Sequence, residues 1–180
     1  MNRLCPIFIL LLFVFSCTKS KEDTPNSMCG EYSLASIIFY GLPVDLDNDG
    51  TGRNDIMEEL DGALGFSAGQ SKVRIIQEAD ETMKCECSFP MIEYITKDDA
   101  ITKATVRQAF FGNIPVYPQA GLPSRIQIIQ PDDGMLSELE VSVRLNTKNE
   151  FYVTLRGKAI LYDNLNKRFS KDYLEYRFQK

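Results

Sequence analysis

From Gly30 onward, apolar side chains recur at every second position more often than at every third or fourth. That is the period of a strand with one buried face. "SELEVSVRL" (137–145) alternates without a break, with Leu139, Val141, Val143 and Leu145 on one face and Glu138, Glu140, Ser142 and Arg144 on the other. "EFYVTLRGKAILYD" (150–163) repeats the rule with Phe151, Val153, Leu155, Ala159 and Leu161 inward, and the intervening "NTKN" predicts a hairpin. "DYLEYRFQ" (172–179) aligns Leu174, Tyr176 and Phe178. "KVRIIQE" (72–78) and "TMKCECSF" (82–89) flank a short turn and predict a second hairpin, while "GEYSLASIIFY" (30–40) and "SRIQIIQ" (124–130) add strands. "IEYI" (92–95) and "TVRQAFF" (105–111) carry the pattern more weakly. Only "NDIMEELDGAL" (54–64) has helical features: Asn54 as an N-cap, acidic residues early, and Gly62 near the stop. Closely spaced strands with turn signals between them predict an all-β chain, an antiparallel barrel or barrel-like sandwich with one short helix.

The amino terminus breaks this pattern. "MNRLCPIFILLLFVFSC" has a positive charge at Arg3 and an apolar run from Pro6 to Phe15, too short to span a bilayer and typical of a cleaved leader. Val14-Phe15-Ser16-Cys17 resembles the lipobox of bacterial lipoproteins, which implies cleavage after residue 16 and acylation of Cys17. Several acyl chains on one residue give stable membrane anchoring. The following "TKSKEDTPNSM" lacks apolar periodicity and predicts a flexible tether over 17–28, leaving 29–180 as a single β domain. Thr18, rather than Asp, follows the acylated position and argues against inner-membrane retention. Lys21-Glu22-Asp23 resembles the charged export signal of surface lipoproteins in the Bacteroidetes. The expected location is the outer membrane, facing outward or into the periplasm.

Composition narrows the chemistry. The net charge is −5 and the basic residues are scattered, so no nucleic-acid partner is expected. There is no histidine. That removes the commonest general base, the usual zinc and copper ligand and every His-dependent nucleophile. Carboxylate pairs such as Glu138 and Glu140 lie on a strand's polar face, where no difference in environment divides acid from base. The expectation is a protein that is not an enzyme.

The acidic segment "VDLDNDGTGRNDIMEEL" (44–60) holds the strongest candidate chemistry. Asp45, Asp47, Asp49 and Gly50 reproduce the start of an EF-hand loop, with oxygen ligands at alternate positions, a sharp turn at Gly, and Thr51 placed to offer a carbonyl. The far end departs from that pattern. Ile56 stands where the bidentate Glu belongs, so closure falls to Asp55 or to Glu59 from the helix. Carboxylates crowded around one turn raise one another's pKa or require a counterion, and oxygen ligands without a nearby thiol suit calcium in a structural role. The competing reading is a solvated acidic turn that caps the helix.

"GEYSLASI", the "PVDLDNDGTG" loop and the terminal "YLEYRFQK" together resemble the lipocalin-like lipoproteins of Bacteroidetes, closely over 30–60 and by pattern beyond. Tyr32 stands where that family often has Trp. The resemblance implies a lipocalin-like barrel on an outer-membrane lipoprotein and names no activity. The aromatics Phe39, Tyr40, Phe110, Phe111, Tyr117, Phe151 and Tyr152 suggest a site for a small apolar or amphipathic ligand, unless the core absorbs them. The alternative is an adhesion module binding a protein or glycan through "FGNIPVYPQAGLPS" (111–124) and "DNLNKRFSKD" (163–172). In an oxidising compartment Cys29 could bond to Cys85 or Cys87, the other expectation being buried reduced thiols.

Overall fold

The computed structural model describes residues 28–60, 66–79, 82–97, 100–116, 124–126, 136–145, 148 and 150–180. The leader, Cys17, the tether through residue 27, Gly62, residues 117–123 of the 111–124 loop with Tyr117, and 127–130 of the expected 124–130 strand lie outside the described residues. Eight strands are present: β1 (Gly30–Phe39), β2 (Lys72–Gln77), β3 (Met83–Lys97), β4 (Ala100–Val116), β5 (Ser124–Ile126), β6 (Leu136–Leu145), β7 (Phe151–Asp163) and β8 (Arg168–Gln179). One helix, α1 (Ile56–Leu60), and a 3-10 turn (Ala68–Gln70) lie between β1 and β2. The strands form one antiparallel sheet in the order β4-β3-β2-β1-β8-β7-β6-β5. The chain meanders outward from β1 on one side and returns inward to β8 on the other, so the first and last strands pair at the centre.

The sheet is curled into a half-barrel. β3 and β8 are separated by β2 and β1, yet the Phe89 and Tyr176 rings lie 5.2 Å apart, and Tyr176 Oη donates to the Pro90 carbonyl at 2.8 Å. The backbone N–H of Tyr162 on β7 likewise donates to Tyr94 Oη of β3 at 2.7 Å. Cα atoms of the two edge strands, β4 and β5, approach within 8 Å. The all-β, barrel-like expectation is met.

The concave face is the core. Tyr32, Ile37, Phe39, Phe89, Leu155, Tyr176 and Phe178 are all fully buried on it. β7 follows its predicted alternation, with Val153, Leu155, Ala159 and Leu161 buried and Phe151 half-buried. Leu174, Tyr176 and Phe178 on β8 do the same. On β6, Leu139, Val141 and Val143 are buried, but Leu145, the last residue of the strand, is exposed. β1 changes parity midway: Tyr32 and Leu34 face inward, then Ile37 and Phe39. The ladder with β8 skips from Leu34 to Ser36, so Ala35 is a bulge residue that re-aims every later side chain.

β3 runs through Pro90 as one long strand, where the sequence suggests two pieces. A residue's N and C=O point to the same side of a strand. The Pro90 carbonyl accepts from Tyr176, so its nitrogen also faces away from β4, and the β2 ladder has already ended at Ser88. No ladder donor is missing there. β4 similarly extends well past 105–111 at both ends.

Among the described residues, Cys29, Cys85 and Cys87 form no disulfide with one another. Gly30 pairs with Ile75, and Ile75 with Cys85, so Cys29 sits two strand spacings, about 10 Å, from β3 and beyond disulfide reach. Cys85 and Cys87 are buried in the core instead, where the hydrogen bond with Cys87, then burial, pushes the Cys85 pKa far up.

Candidate metal centre and apolar rim

The segment between β1 and α1 is a closed loop. Val44 and Arg53 exchange backbone hydrogen bonds at 3.0 Å in each direction, and Phe39 N–H donates to the Asn54 carbonyl at 2.9 Å. The tip needs left-handed backbone at Asn48 (φ 64°) and Gly50 (φ 87°), which Asn and Gly tolerate best. Gly41, just after β1, is fixed by contact, since a Cβ there would fall 2.5 Å from the buried Phe39 ring.

Asn54 is not the helix cap. Its side-chain amide donates to the Phe39 and Gly41 carbonyls at 2.8 Å each, tying the loop to the end of β1. Asp55 fills the capping role, accepting from Met57 N–H at 3.0 Å. The described helix then places Ile56, Glu59 and Leu60 on its buried face, so the Glu59 carboxylate points inward.

That geometry sorts the acidic residues into two groups. One carboxylate oxygen each from Asp45, Asp47 and Glu59 lies within 4.8 Å of the other two. Asp45 and Glu59 are fully buried, and Asp47 is partly so. Asp45 Oδ2 accepts from Gly50 N–H at 3.1 Å, while Asp45 Oδ1 is buried with no hydrogen-bond partner among the described residues. Glu59 Oε2 accepts from Leu46 N–H at 2.7 Å, and Oε1 takes the Arg53 guanidinium at 2.7 Å. Burial pushes the Glu59 pKa up and Asp47 adds to this, while Arg53 and the Leu46 amide pull the other way.

Asp49, Thr51 and Asp55 stand outside this group. Asp49 Oδ2 pairs with Arg53 Nη2 at 2.9 Å, and Asp49 Oδ1 accepts from Thr51 N–H at 2.7 Å. The Arg53 hydrogen bond, helped by the Thr51 amide, holds the Asp49 carboxyl below its usual range. The Thr51 carbonyl accepts from Arg53 Nη1 at 3.3 Å, and Asp55 is the cap. The loop marked by the sequence spacing is thus one in which carboxylates converge. Glu59 joins Asp45 and Asp47, whereas Asp49 serves Arg53.

The loop is fastened to the β7–β8 turn. Asn164 donates from its backbone to the Asp45 carbonyl at 2.8 Å and from its side chain to the Leu46 carbonyl at 3.0 Å. Asp45 N–H donates to the buried Asp163 carboxylate at 3.3 Å, which also takes the Leu165 amide and the Asn166 side chain.

Several large apolar side chains are exposed around this junction. Tyr40, Leu42, Leu165, Phe169 and Tyr173 are each at least 40% exposed. The Arg156 guanidinium lies 5.0 Å from the Tyr40 ring centroid and 4.6 Å from that of Tyr173, a stack that holds both rings in place. Tyr162 links Phe169 to Tyr94 through edge-on contacts at 5.2 and 6.2 Å. Of the aromatics singled out in the sequence, Phe39 is core, Phe111, Phe151 and Tyr152 are half-buried, and Tyr40 and Phe110 are exposed. The rim lies at the Phe39 end of β1, opposite the Gly30 end.

No family model, curated protein or solved structure matches this chain.

Proposed function

We propose that the protein is an outer-membrane lipoprotein, anchored through Cys17, whose β domain is a non-enzymatic binding module for a small apolar or amphipathic ligand, braced by calcium at its acidic loop. The observation that supports it is the apolar rim. Exposed large hydrophobic side chains gather at the Phe39 end of β1, while the concave face is filled by its own side chains, with Tyr32, Phe89 and Phe178 at 0% exposure. Rings held by Arg156 lose little freedom on contact with a ligand, which suits a preformed binding surface. Patches of exposed apolar surface of this kind mark binding sites.

The test is titration of the lipidated chain in detergent-free nanodiscs with a fatty acid below its micelle concentration. Chemical shifts of the Tyr40 and Tyr173 rings should move, and Tyr40→Ser with Tyr173→Ser should weaken binding by about tenfold or more while leaving the melting temperature within a few degrees. An unchanged isotherm in that variant would remove the rim from the binding site. Cleavage and acylation are checked separately by mass spectrometry of the mature amino terminus.

A second reading, docking of a protein or glycan through "DNLNKRFSKD", is favoured by the exposure of Leu165 (53%) and Phe169 (59%) in that turn. A stoichiometric partner lost on Phe169→Ser would support it over the first.

A further inference from the structure

We propose that Asp45, Asp47 and Glu59 bind a hard divalent cation, calcium, and that the bound ion locks the β1–α1 loop onto the β7–β8 turn that carries part of the apolar rim. This deepens the calcium element of the proposed function by naming its ligands and what the ion controls. Two independent observations support it. The first is the convergence of three carboxylates within 4.8 Å, two of them fully buried. The second is Asp45 Oδ1, a buried carboxylate oxygen with no hydrogen-bond partner among the described residues. A buried charged oxygen left unsatisfied is costly, and coordination to an ion satisfies it without rebuilding the loop.

Arg53 does not serve as that counterion. It binds Asp49, Glu58 and Glu59, and among the described ion pairs neither Asp45 nor Asp47 has a cationic partner. One guanidinium therefore answers for Glu59 and leaves two aspartates on the same centre. A donor set made only of carboxylate oxygens suits a hard cation, and calcium accepts irregular sets of six to eight oxygens where magnesium demands a strict octahedron. The route to the rim is short, because Asp45 itself bonds through its backbone to Asn164 and Asp163. Neutralising Asp45 and Asp47 relieves the repulsion that would otherwise loosen this junction.

The experiment is calorimetric titration of calcium chloride, and separately magnesium chloride, into the chelator-treated full chain in detergent, with amide hydrogen exchange at residues 164–167 as the structural readout. The expected result is one calcium bound per chain with an affinity on the order of 10⁻⁵ to 10⁻³ M, weaker magnesium binding, and slower exchange in the turn when calcium is present. Asp45→Asn and Glu59→Gln should each weaken calcium by about tenfold or more, and Asp49→Asn and Asp55→Asn by no more than about threefold. Should either buried variant fail to fold, Asp47→Asn, at the solvent side of the cluster, provides the same comparison. Absence of calcium heat in the wild type, magnesium binding tighter than calcium, unchanged exchange in the turn, or Asp49→Asn as damaging as Glu59→Gln would each overturn the proposal. Fatty-acid binding at the rim is read by a different titration, so its failure leaves these outcomes distinct.

Discussion

The contact between Phe89 and Tyr176 makes the curl of the sheet measurable in solution. Three strand steps separate β3 from β8, about 14 Å along a flat sheet. The two ring centroids nonetheless stand 5.2 Å apart at an interplanar angle of 54°, and Phe89 also stacks on Phe111 at 5.8 Å. Aromatic pairs of this kind contribute about 0.5–1.5 kcal/mol beyond the area they bury. Phe89→Leu keeps most of the volume and loses two ring contacts, so it should cost about 1–3 kcal/mol. Tyr176→Leu loses the ring and also leaves the Pro90 carbonyl without its donor, for about 2–4 kcal/mol. With an unfolding entropy near 2.1 cal/mol/K per residue over about 150 residues, a loss of 3 kcal/mol lowers the melting temperature by about 10 °C. The double variant should be less damaging than the sum, with a coupling of about 0.5–1.5 kcal/mol. Urea unfolding followed by far-UV circular dichroism is the assay, because the chain has no tryptophan. Additivity within about 0.3 kcal/mol would mean that the strands do not face each other, and the curled sheet would be refuted.

Other outcomes follow from the same geometry. Gly41→Ala drives a methyl to within 2.5 Å of the Phe39 ring and should destabilise the domain by about 1–3 kcal/mol in the same urea assay, whereas Gly69→Ala, with only Ser67 Oγ nearby at 3.9 Å, should cost less than about 1 kcal/mol. In the native protein a small alkylating reagent should label the partly exposed Cys29 and spare Cys85 and Cys87 until urea is added, as read by mass spectrometry; labelling of Cys85 in the native state would contradict its burial. Burial, with a smaller contribution from Cys29, pushes the Tyr32 pKa from 10.0 to about 12, so its protonated form is favoured by folding. The stability this provides is complete below pH 10 and is lost as pH rises toward 12, so alkaline unfolding should track ultraviolet detection of tyrosinate, and Tyr32→Phe should blunt that dependence. Lys72 and Glu31 form an exposed pair at 2.6 Å, and Lys72→Met should change stability by less than about 1 kcal/mol.

The strands were legible where one face is buried and the other wet. β6, β7 and β8 show that alternation directly, as Val153, Leu155 and Tyr176 demonstrate. The pattern weakened where both faces acquire neighbours or where the ladder is irregular. On β3, Ile92 is buried next to Met91, so adjacent positions are both apolar and the period disappears. Pro90 reads locally as a break, and what makes a proline harmless there, a β2 ladder that has already ended at Ser88 so that no donor is needed, is set by sheet registry and not by the neighbouring residues. The Ala35 bulge in β1 is similarly silent, because serines and alanine around it fit either face.

The acidic loop shows a different limit. Asp-x-Asp-x-Asp-Gly spacing marks a turn able to gather carboxylates, but convergence is decided by which side chains the surrounding structure turns inward. Arg53 removes Asp49 by pairing with it on the exposed side, and the capping geometry removes Asp55. Glu59 takes their place because it shares a helix face with Ile56 and Leu60, both at 0% exposure. That signal is present in the sequence: positions 56, 59 and 60 stand at i, i+3 and i+4, the spacing of one buried helical face, and the middle one is a carboxylate. A charged residue on an otherwise apolar face is expensive unless something answers its charge. Here Arg53 answers it from solvent and Leu46 N–H from the loop, while Asp45 Oδ1 beside it remains unanswered. The asymmetry between a satisfied glutamate and an unsatisfied aspartate at the same buried point is the observation on which the proposed cation site rests.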